Sequence, residues 1–146
     1  MIALGSDHAG FAYKEEIKKL LDGLKLAYRD FGSTSVESTD FPDYAHAVAK
    51  AVANGDCDRG ILVCGTGIGM SITANKHKGI RAAVCESSTA ARLSREHNDA
   101  NILALGARLT GWETAADIVR TFLATPFSGG ERHQRRVNKI HSLTNL

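Results

Sequence analysis

The apolar residues of the sequence repeatedly change their period, and this alternation restricts the folds open to the chain. Short runs typical of β-strands alternate with stretches in which apolar residues recur every three or four positions, as on one face of a helix. The predicted strands are Ile2–Gly5, Leu26–Phe31, Gly60–Cys64, Arg81–Cys85 and Asn101–Leu105. Strand alternating with helix is typical of an α/β domain, with one open, mostly parallel sheet between two layers of helices.

Three helical stripes are clear, and a further helix is predicted from Gly129 onward, beyond the alternating pattern. The stripes are Ile17, Leu20, Leu21 and Leu24; Ala45, Val48, Ala49 and Val52; and Ala115, Ile118, Val119 and Phe122. The spacing of Thr110 and Glu113 predicts a capping box at the start of the third stripe. The strands at 60–64 and 102–105 are continuously apolar, which predicts that helices cover them on both faces.

Composition and charge exclude several classes of protein. Apolar residues make up 43% of the 146 residues and charged residues 23%, which is ordinary for one globular domain over residues 1–146. The net charge of +2 provides no basic field for nucleic acid. No apolar stretch approaches the ~18 residues that a membrane span needs. The N-terminus lacks the pattern of a secretory signal, so we expect a cytoplasmic protein.

A glycine-rich segment, Cys64–Met70, follows the third predicted strand and leads into a helix. Such a turn presents several backbone N–H groups and stabilises anions. A dinucleotide site is an alternative, with Glu86 about 20 residues further on, but the spacing is GxGxG rather than GxGxxG. A second alternative is that the glycines only allow close packing of strand against helix. No Lys-Ser/Thr pair follows, which excludes a phosphate-binding P-loop.

Cys64 is the cysteine that stands at this loop, where N–H groups stabilise a thiolate. Cys57 and Cys85 are expected to be small core residues. Without an export signal, all three are expected to be reduced thiols. They lack the CxxC pairs of a structural zinc site.

Two histidines are candidates for acid–base chemistry. His8 follows Asp7 at the end of the first strand, and His97 precedes Asn98 before the fifth strand. Histidines often only form structural hydrogen bonds, but we expect these two to meet at one end of the sheet as an acid–base set. No HExxH motif or close ligand pair is present, so no metal is predicted.

Arg132 and Arg136 stand four residues apart and project from one face of the last predicted helix. A solvated basic face is one interpretation. The other is a phosphate clamp, because the guanidinium fork binds two oxygen atoms at once. No aromatic residue is interleaved with these arginines, which disfavours a nucleic-acid surface.

Four motifs are similar to those of the type B ribose-5-phosphate isomerases, a family that includes galactose-6-phosphate and allose-6-phosphate isomerases. In chain order they are GSDHAG, VCGTGIGMSITANK, SREHNDANILALGAR and GGERHQRRV. The resemblance implies a five-stranded, Rossmann-like α/β/α domain with an extra C-terminal helix and no cofactor. It implies aldose–ketose isomerisation of a sugar phosphate. It also implies a homodimer, or a dimer of dimers, with active sites at the interface.

The resemblance also implies a role for each residue that matches a motif. Cys64 is the expected base at C2, and His97, assisted by Thr66, is expected to open the sugar ring. The remaining residues are expected to bind substrate: Asp7, His8, Tyr44, Gly65, Gly67, Gly69, Asn98, Arg108, Arg132 and Arg136. Among them His8, Arg132 and Arg136 match phosphate ligands, and Arg108 matches one that arrives from the partner subunit.

The sequence departs from the family pattern at two positions. One branch of the family has a glutamate base where this sequence has Met70, so Cys64 places the chain in the cysteine branch. The extra Glu131 in GGERH is expected to shift the start of the last helix.

Three functions compete with ribose-5-phosphate isomerisation. They are a 6-phospho-hexose isomerase, one subunit of a hetero-oligomeric galactose-6-phosphate isomerase, and a non-catalytic sugar-phosphate-binding module.

Overall fold

The computed structural model describes residues 1–146 as five strands and six helices. The strands are β1 (Ile2–Ser6), β2 (Tyr28–Asp30), β3 (Arg59–Cys64), β4 (Ala82–Val84) and β5 (Ile102–Gly106). The helices are α1 (Phe11–Gly23), α2 (Phe41–Ala53), α3 (Ile68–Ala74), α4 (Ser88–Asn98), α5 (Trp112–Ala124) and α6 (Glu131–Thr144).

All neighbouring strands are parallel, in the order β2-β1-β3-β5-β4. The chain runs outward from β1 to β2 and then returns past β1 to β3, so the direction of the strand order reverses between β1 and β3. Open α/β sheets bind ligands beyond the carboxyl ends of the strands at such a reversal. Here β1 ends at Ser6 and β3 ends at Cys64, which brings Asp7 close to the glycine loop.

Two apolar clusters cover opposite faces of this sheet. One joins Leu4 and Leu103 to α1, α4 and α5, and the other joins Leu62 and Ile102 to α2 and α3. Both β3 and β5 are buried almost throughout, as their continuous apolar runs predict. The three-layer sandwich, its five-stranded parallel sheet and the extra C-terminal helix α6 are therefore confirmed.

The capping box predicted at Thr110 is wrong. Helix α5 begins at Trp112, with Gly111 as its N-cap and no side-chain cap. Thr110 is buried, and its carbonyl oxygen accepts a 2.6 Å hydrogen bond from the Tyr13 hydroxyl. Trp112 packs edge-on against the Tyr13 ring. These contacts start the helix one residue later than predicted, so Glu113 does not occupy the third helical position that a capping box requires.

The strand bounds differ most from prediction at the two edges of the sheet. Strands β2 and β4 each contain 3 residues, because each pairs with one neighbour along a short register. Leu24, the last residue of the first apolar stripe, is the C-cap of α1 and is exposed. No helix combines the length and the apolar character needed to cross a membrane.

Candidate active site

The loop from β3 to α3 holds Cys64 against a backbone donor. The Gly67 N–H donates a hydrogen bond to Cys64 Sγ at 3.1 Å. Gly67 has a φ of 77°, and a Cβ there would lie 3.0–3.1 Å from backbone atoms of Leu105. Glycine is therefore required at this position, both for the left-handed backbone and for the close approach of β5. A hydrogen bond from an N–H group stabilises a thiolate more than a thiol.

The residues that directly follow β5 hold this loop in place through backbone hydrogen bonds. Ala107 N–H donates to the Cys64 carbonyl at 2.8 Å, and Arg108 N–H donates to the Gly65 carbonyl at 2.9 Å. The Arg108 side chain lies over the loop: a Cβ on Gly65 would be 3.2 Å from Arg108 Cδ and 3.3 Å from Nη1. Arg108 thus lies over the cysteine loop of its own chain, and its predicted contact with phosphate across a subunit interface stays a prediction.

Asp7 and His8 occupy the carboxyl end of β1. Asp7 is 7% exposed, and its Oδ1 accepts a 3.0 Å hydrogen bond from the Gly10 N–H. The Thr39 N–H donates to His8 Nδ1 at 3.1 Å. Because Nδ1 accepts this bond, a neutral His8 ring carries its proton on Nε2. His8 Nε2 is then available as a donor to an anionic ligand.

Two aromatic side chains from the first turn of α2 lie at the same end of the sheet. The Tyr44 ring packs on Gly32, where an added Cβ would lie 2.8 Å from Tyr44 Cε1. The Phe41 ring packs on Gly69, where a Cβ would lie 2.7 Å from two of its carbon atoms. Phe41 was not among the predicted site residues, since a single aromatic at a helix start carries no distinguishing pattern. The carboxyl-edge group consists of Asp7, His8, Tyr44, Cys64, Gly65, Thr66, Gly67, Gly69 and Arg108.

Within this group, the Thr66 hydroxyl oxygen accepts a hydrogen bond from the Ile68 N–H at 3.2 Å. Its own proton is left to donate elsewhere. Met70, in the first turn of α3, is fully buried in the apolar cluster beneath the loop. Met70, which the family resemblance matches to a glutamate base in one branch, is thus a packing residue in this chain.

His97 and Asn98 lie at the opposite end of the sheet from Cys64, beside the amino ends of the strands. Both belong to the last turn of α4, and the Asn98 carbonyl accepts a 3.1 Å hydrogen bond from Nε of Arg81, which directly precedes β4. Helix α4 runs antiparallel to the strands and therefore ends at their amino ends. The carboxyl ends of the strands, where Cys64 lies, are thus separated from the amino ends, where His97 lies, by the length of β5, about 13 Å at ~3.3 Å per residue. The prediction that His8 and His97 meet at one end of the sheet is wrong for a single chain.

His97 is stacked on His133, with ring centroids 4.4 Å apart and planes inclined by 7°. Desolvation, followed by electrostatic repulsion from His97, Arg132 and Arg136, lowers the pKa of His133. Arg132 Nη2 lies 3.5 Å from His133 Nε2, and because a guanidinium only donates, this nitrogen accepts. His133 was not predicted as a site residue. The amino-edge group consists of His97, Asn98, Arg132, His133 and Arg136.

The other two cysteines are buried in the core, as Cys64 is at 5% exposure, but they lie away from the glycine loop. Cys57 is 3% exposed and Cys85 is 2% exposed. Burial raises the pKa of both thiols. Their predicted role as small core residues is confirmed.

The strand order bears on the dinucleotide alternative. Glu86 follows β4, and β5 lies between β4 and β3. The carboxylate that would contact a ribose is thus two strands away from the glycine loop, instead of on the adjacent strand.

No cluster of three or more His, Cys, Asp or Glu side chains is arranged to hold a metal ion.

Comparison with known proteins identifies the family. Residues 2–140 match the family model described as Ribose/Galactose Isomerase. The chain belongs to the ribose/galactose isomerase family. The ribose-5-phosphate isomerase B of Escherichia coli (strain K12) is 51% identical over 142 residues, which cover 97% of this chain and 95% of that protein.

Solved structures of this family have the same fold. The Clostridium thermocellum ribose-5-phosphate isomerase B is 54% identical, with a TM-score of 0.96, and the match covers 99% of this chain and 97% of that one. The type B ribose 5-phosphate isomerase of Trypanosoma brucei is 47% identical, with a TM-score of 0.94 and 97% of each chain covered. The family resemblance predicted from the four sequence motifs is confirmed.

Proposed function

We propose that this member of the ribose/galactose isomerase family is an aldose–ketose isomerase that interconverts ribose 5-phosphate and ribulose 5-phosphate. The observation that carries the proposal is the Cys64 sulfur, held 3.1 Å from the Gly67 N–H at the strand-order reversal where α/β sheets bind ligands. The names of the relatives, ribose-5-phosphate isomerase B among them, support the same reaction. Residues 1–146 form one catalytic domain in this proposal.

The active site combines the carboxyl-edge group of one subunit with the amino-edge group of another. Cys64 and His97 are separated by the length of β5 within one chain, so one chain alone cannot supply both to a five-carbon sugar. A symmetric dimer supplies both, because a two-fold axis forms two equivalent sites at once. This arrangement changes the predicted division of phosphate ligands: Arg108 and His8 come from one subunit, and Arg132 and Arg136 come from its partner.

Exposed apolar side chains beside the cysteine loop support this association. Ile68 and Ile72, one turn apart on α3, are 52% and 57% exposed, and Leu109 is 56% exposed. Contiguous apolar side chains on a soluble protein typically mark an interface. In our proposal a second copy of the chain covers them, as a homodimer or as a dimer of dimers.

The reaction begins with ring opening. His97 removes the proton of the anomeric hydroxyl while the Thr66 hydroxyl gives its proton to the ring oxygen and takes one back from water, which yields the open-chain aldehyde. The Cys64 thiolate then takes the C2 proton, and the electron pair moves onto the C1 oxygen to form an enediolate. The loop N–H groups stabilise the developing charge, a contribution of ~10²–10³ in rate for each donor. The same thiol returns the proton to C1, the proton of the C2 hydroxyl moves to the C1 oxygen, and the C2 oxygen becomes the ketone.

The phosphate anchors the far end of the substrate. Arg132 and Arg136 offer guanidinium forks from one face of α6, and His8 Nε2–H offers a donor beside Cys64. Binding energy from this remote group positions C1 and C2 against the base. Because a thiolate base requires a reducing compartment, we place the enzyme in the cytoplasm.

The test is a comparison of kcat/KM for ribose 5-phosphate, allose 6-phosphate and galactose 6-phosphate with the purified protein. We expect ribose 5-phosphate to have the highest value. A higher value for either hexose phosphate would reassign the enzyme to a 6-phospho-hexose. Tight binding of all three without turnover would refute the isomerase function and favour a binding module.

A further inference from the structure

Two histidines outside both groups face each other between α2 and the segment that follows α3. His46 Nδ1 lies 2.7 Å from His77 Nε2, and the ring centroids are 4.9 Å apart. His46 is exposed and His77 is half-buried. Neither belongs to the four motifs of the family resemblance that carry the isomerase site.

The orientation of His77 is fixed by its other ring nitrogen. His77 Nδ1 lies 3.1 Å from the carbonyl oxygens of both Thr73 and Ala74. Carbonyl oxygens only accept hydrogen bonds, so Nδ1 carries the ring proton and Nε2 directs its lone pair towards His46. A metal-binding histidine typically has this arrangement, in which one ring nitrogen donates to a backbone carbonyl and the other binds the ion.

We propose that His46 and His77 form a binding site for a divalent transition-metal ion of the class that prefers imidazole, such as Zn²⁺ or Ni²⁺. Two nitrogen ligands at ~2.05 Å from a tetrahedral ion lie about 3.3 Å apart. The observed separation of 2.7 Å thus has to open by only about 0.6 Å, which the exposed His46 side chain can provide. Water fills the remaining coordination positions.

Metal binding requires a change of tautomer at His46. Without metal, His46 Nδ1 donates its proton to the lone pair of His77 Nε2. With metal, that proton leaves Nδ1 and solvent protonates Nε2 of the same ring, so a neutral ring remains neutral. Both lone pairs between the rings are then directed at the ion, and no oxidant or reductant takes part.

The ion would link α2 to the segment that follows α3, and both of these helices carry or adjoin residues of the carboxyl-edge group. Helix α2 carries Phe41 and Tyr44, and α3 follows the cysteine loop directly. Because the two histidines are held together only in the folded chain, an ion bound to both stabilises the folded state. We therefore expect zinc to raise the melting temperature of the protein.

The experiment is calorimetric titration of the EDTA-treated, dialysed protein with ZnCl₂, together with thermal melts. Wild type and the variants His46→Ala, His77→Ala, Cys64→Ala and His141→Ala are compared. His141 is the matched control, a surface histidine whose Nε2 also contacts a side chain, that of Arg81. We expect one zinc equivalent per chain to be lost, or its affinity to fall at least about tenfold, in the His46 and His77 variants alone.

Cys64→Ala distinguishes this site from binding to the active-site thiol, because the proposed equivalent persists in that variant. The zinc-dependent rise in melting temperature should likewise persist in His141→Ala and shrink in His46→Ala and His77→Ala. Equal zinc affinity, stoichiometry and melting shift in wild type, His46→Ala and His77→Ala would overturn the proposal. So would an absence of zinc binding by the wild type at millimolar concentrations. Neither outcome bears on the isomerase function, which is measured separately with sugar phosphates.

Discussion

Replacing Gly67 by alanine tests whether the cysteine loop must hold its backbone donor in place. Gly67 has a φ of 77°, and an added Cβ would lie 3.0–3.1 Å from the Leu105 backbone. Gly55 provides a matched control, since its φ is 80° and nothing lies within 4 Å of an added Cβ. The two substitutions thus place an alanine at nearly the same positive φ, and only Gly67→Ala also pushes against β5.

The expected free-energy changes follow from these contacts. Left-handed backbone costs an alanine ~1–2 kcal/mol, and the reduced entropy of the unfolded chain offsets ~0.4–1 kcal/mol of that. Gly55→Ala should therefore lower the free energy of unfolding by about 1 kcal/mol. For Gly67→Ala the contact with Leu105 adds ~1–3 kcal/mol, because backbone atoms cannot turn aside as a side chain can. The loop shift also moves the Gly67 N–H away from Cys64 Sγ.

The assay is kcat and KM for ribose 5-phosphate, with urea unfolding of the same samples. We expect kcat of Gly67→Ala to fall by ~10²–10³, as for the loss of one preorganised donor, while KM changes little. Gly55→Ala should retain the kcat of wild type. If Gly67→Ala is folded and its kcat lies within a few-fold of that of Gly55→Ala, the loop N–H does not serve catalysis and the reasoning is refuted.

Two further predictions concern the thiols and a buried ion pair. Iodoacetamide near neutral pH should inactivate the enzyme by modifying Cys64, whose sulfur accepts a hydrogen bond from the Gly67 N–H, ahead of Cys57 and Cys85, whose pKa values are raised by burial. Peptide mass mapping identifies the modified thiol, and loss of activity that follows modification of Cys57 or Cys85 while Cys64 is still unmodified would contradict the assignment. Asp30→Asn should lower the free energy of unfolding at pH 7 by ~1.5–3 kcal/mol, because it removes one of the two carboxylates that pair with the Lys14 ammonium, whose side chain is 1% exposed, and leaves only Glu15 at 3.3 Å. Burial opposes ionisation of Asp30, but hydrogen bonds from Lys14, the Gly32 N–H and Lys18 together lower its pKa in the folded chain. This stabilisation is complete above the unfolded value of ~3.9 and is lost as the pH falls through the lower folded value, so urea unfolding should show the difference between wild type and Asp30→Asn shrinking below that pH; a constant difference would contradict it.

The sequence predicts the architecture well where the pattern is local. The continuous apolar runs of β3 and β5 predict buried central strands because both faces of each strand must be covered. The order in which strands pair is not local. Strand β5 lies between β3 and β4, and nothing in its own residues identifies the two strands with which it pairs. The capping box failed for a similar reason, since packing of Trp112 against Tyr13 shifts the start of α5.

The candidate site is likewise predictable from the sequence only where its residues form a local pattern. Cys64 stands out because a thiol at a glycine loop is a local motif. The edge occupied by His97 also follows from local structure, because a helix between two parallel strands must end at their amino ends. His133 could not be found in this way: its stack on His97 depends on how α6 docks against α4, two segments far apart in the chain.

The central claim is that each active site joins Cys64 of one subunit to His97 of its partner. Mixing Cys64→Ala and His97→Asn subunits, each inactive alone, tests it most directly. After random reassembly about half of the dimers are mixed, and each mixed dimer has one site with both lesions and one intact site. Up to about a quarter of wild-type turnover of ribose 5-phosphate should then return. No recovery, with mixed dimers demonstrated by mass spectrometry, would contradict the shared site.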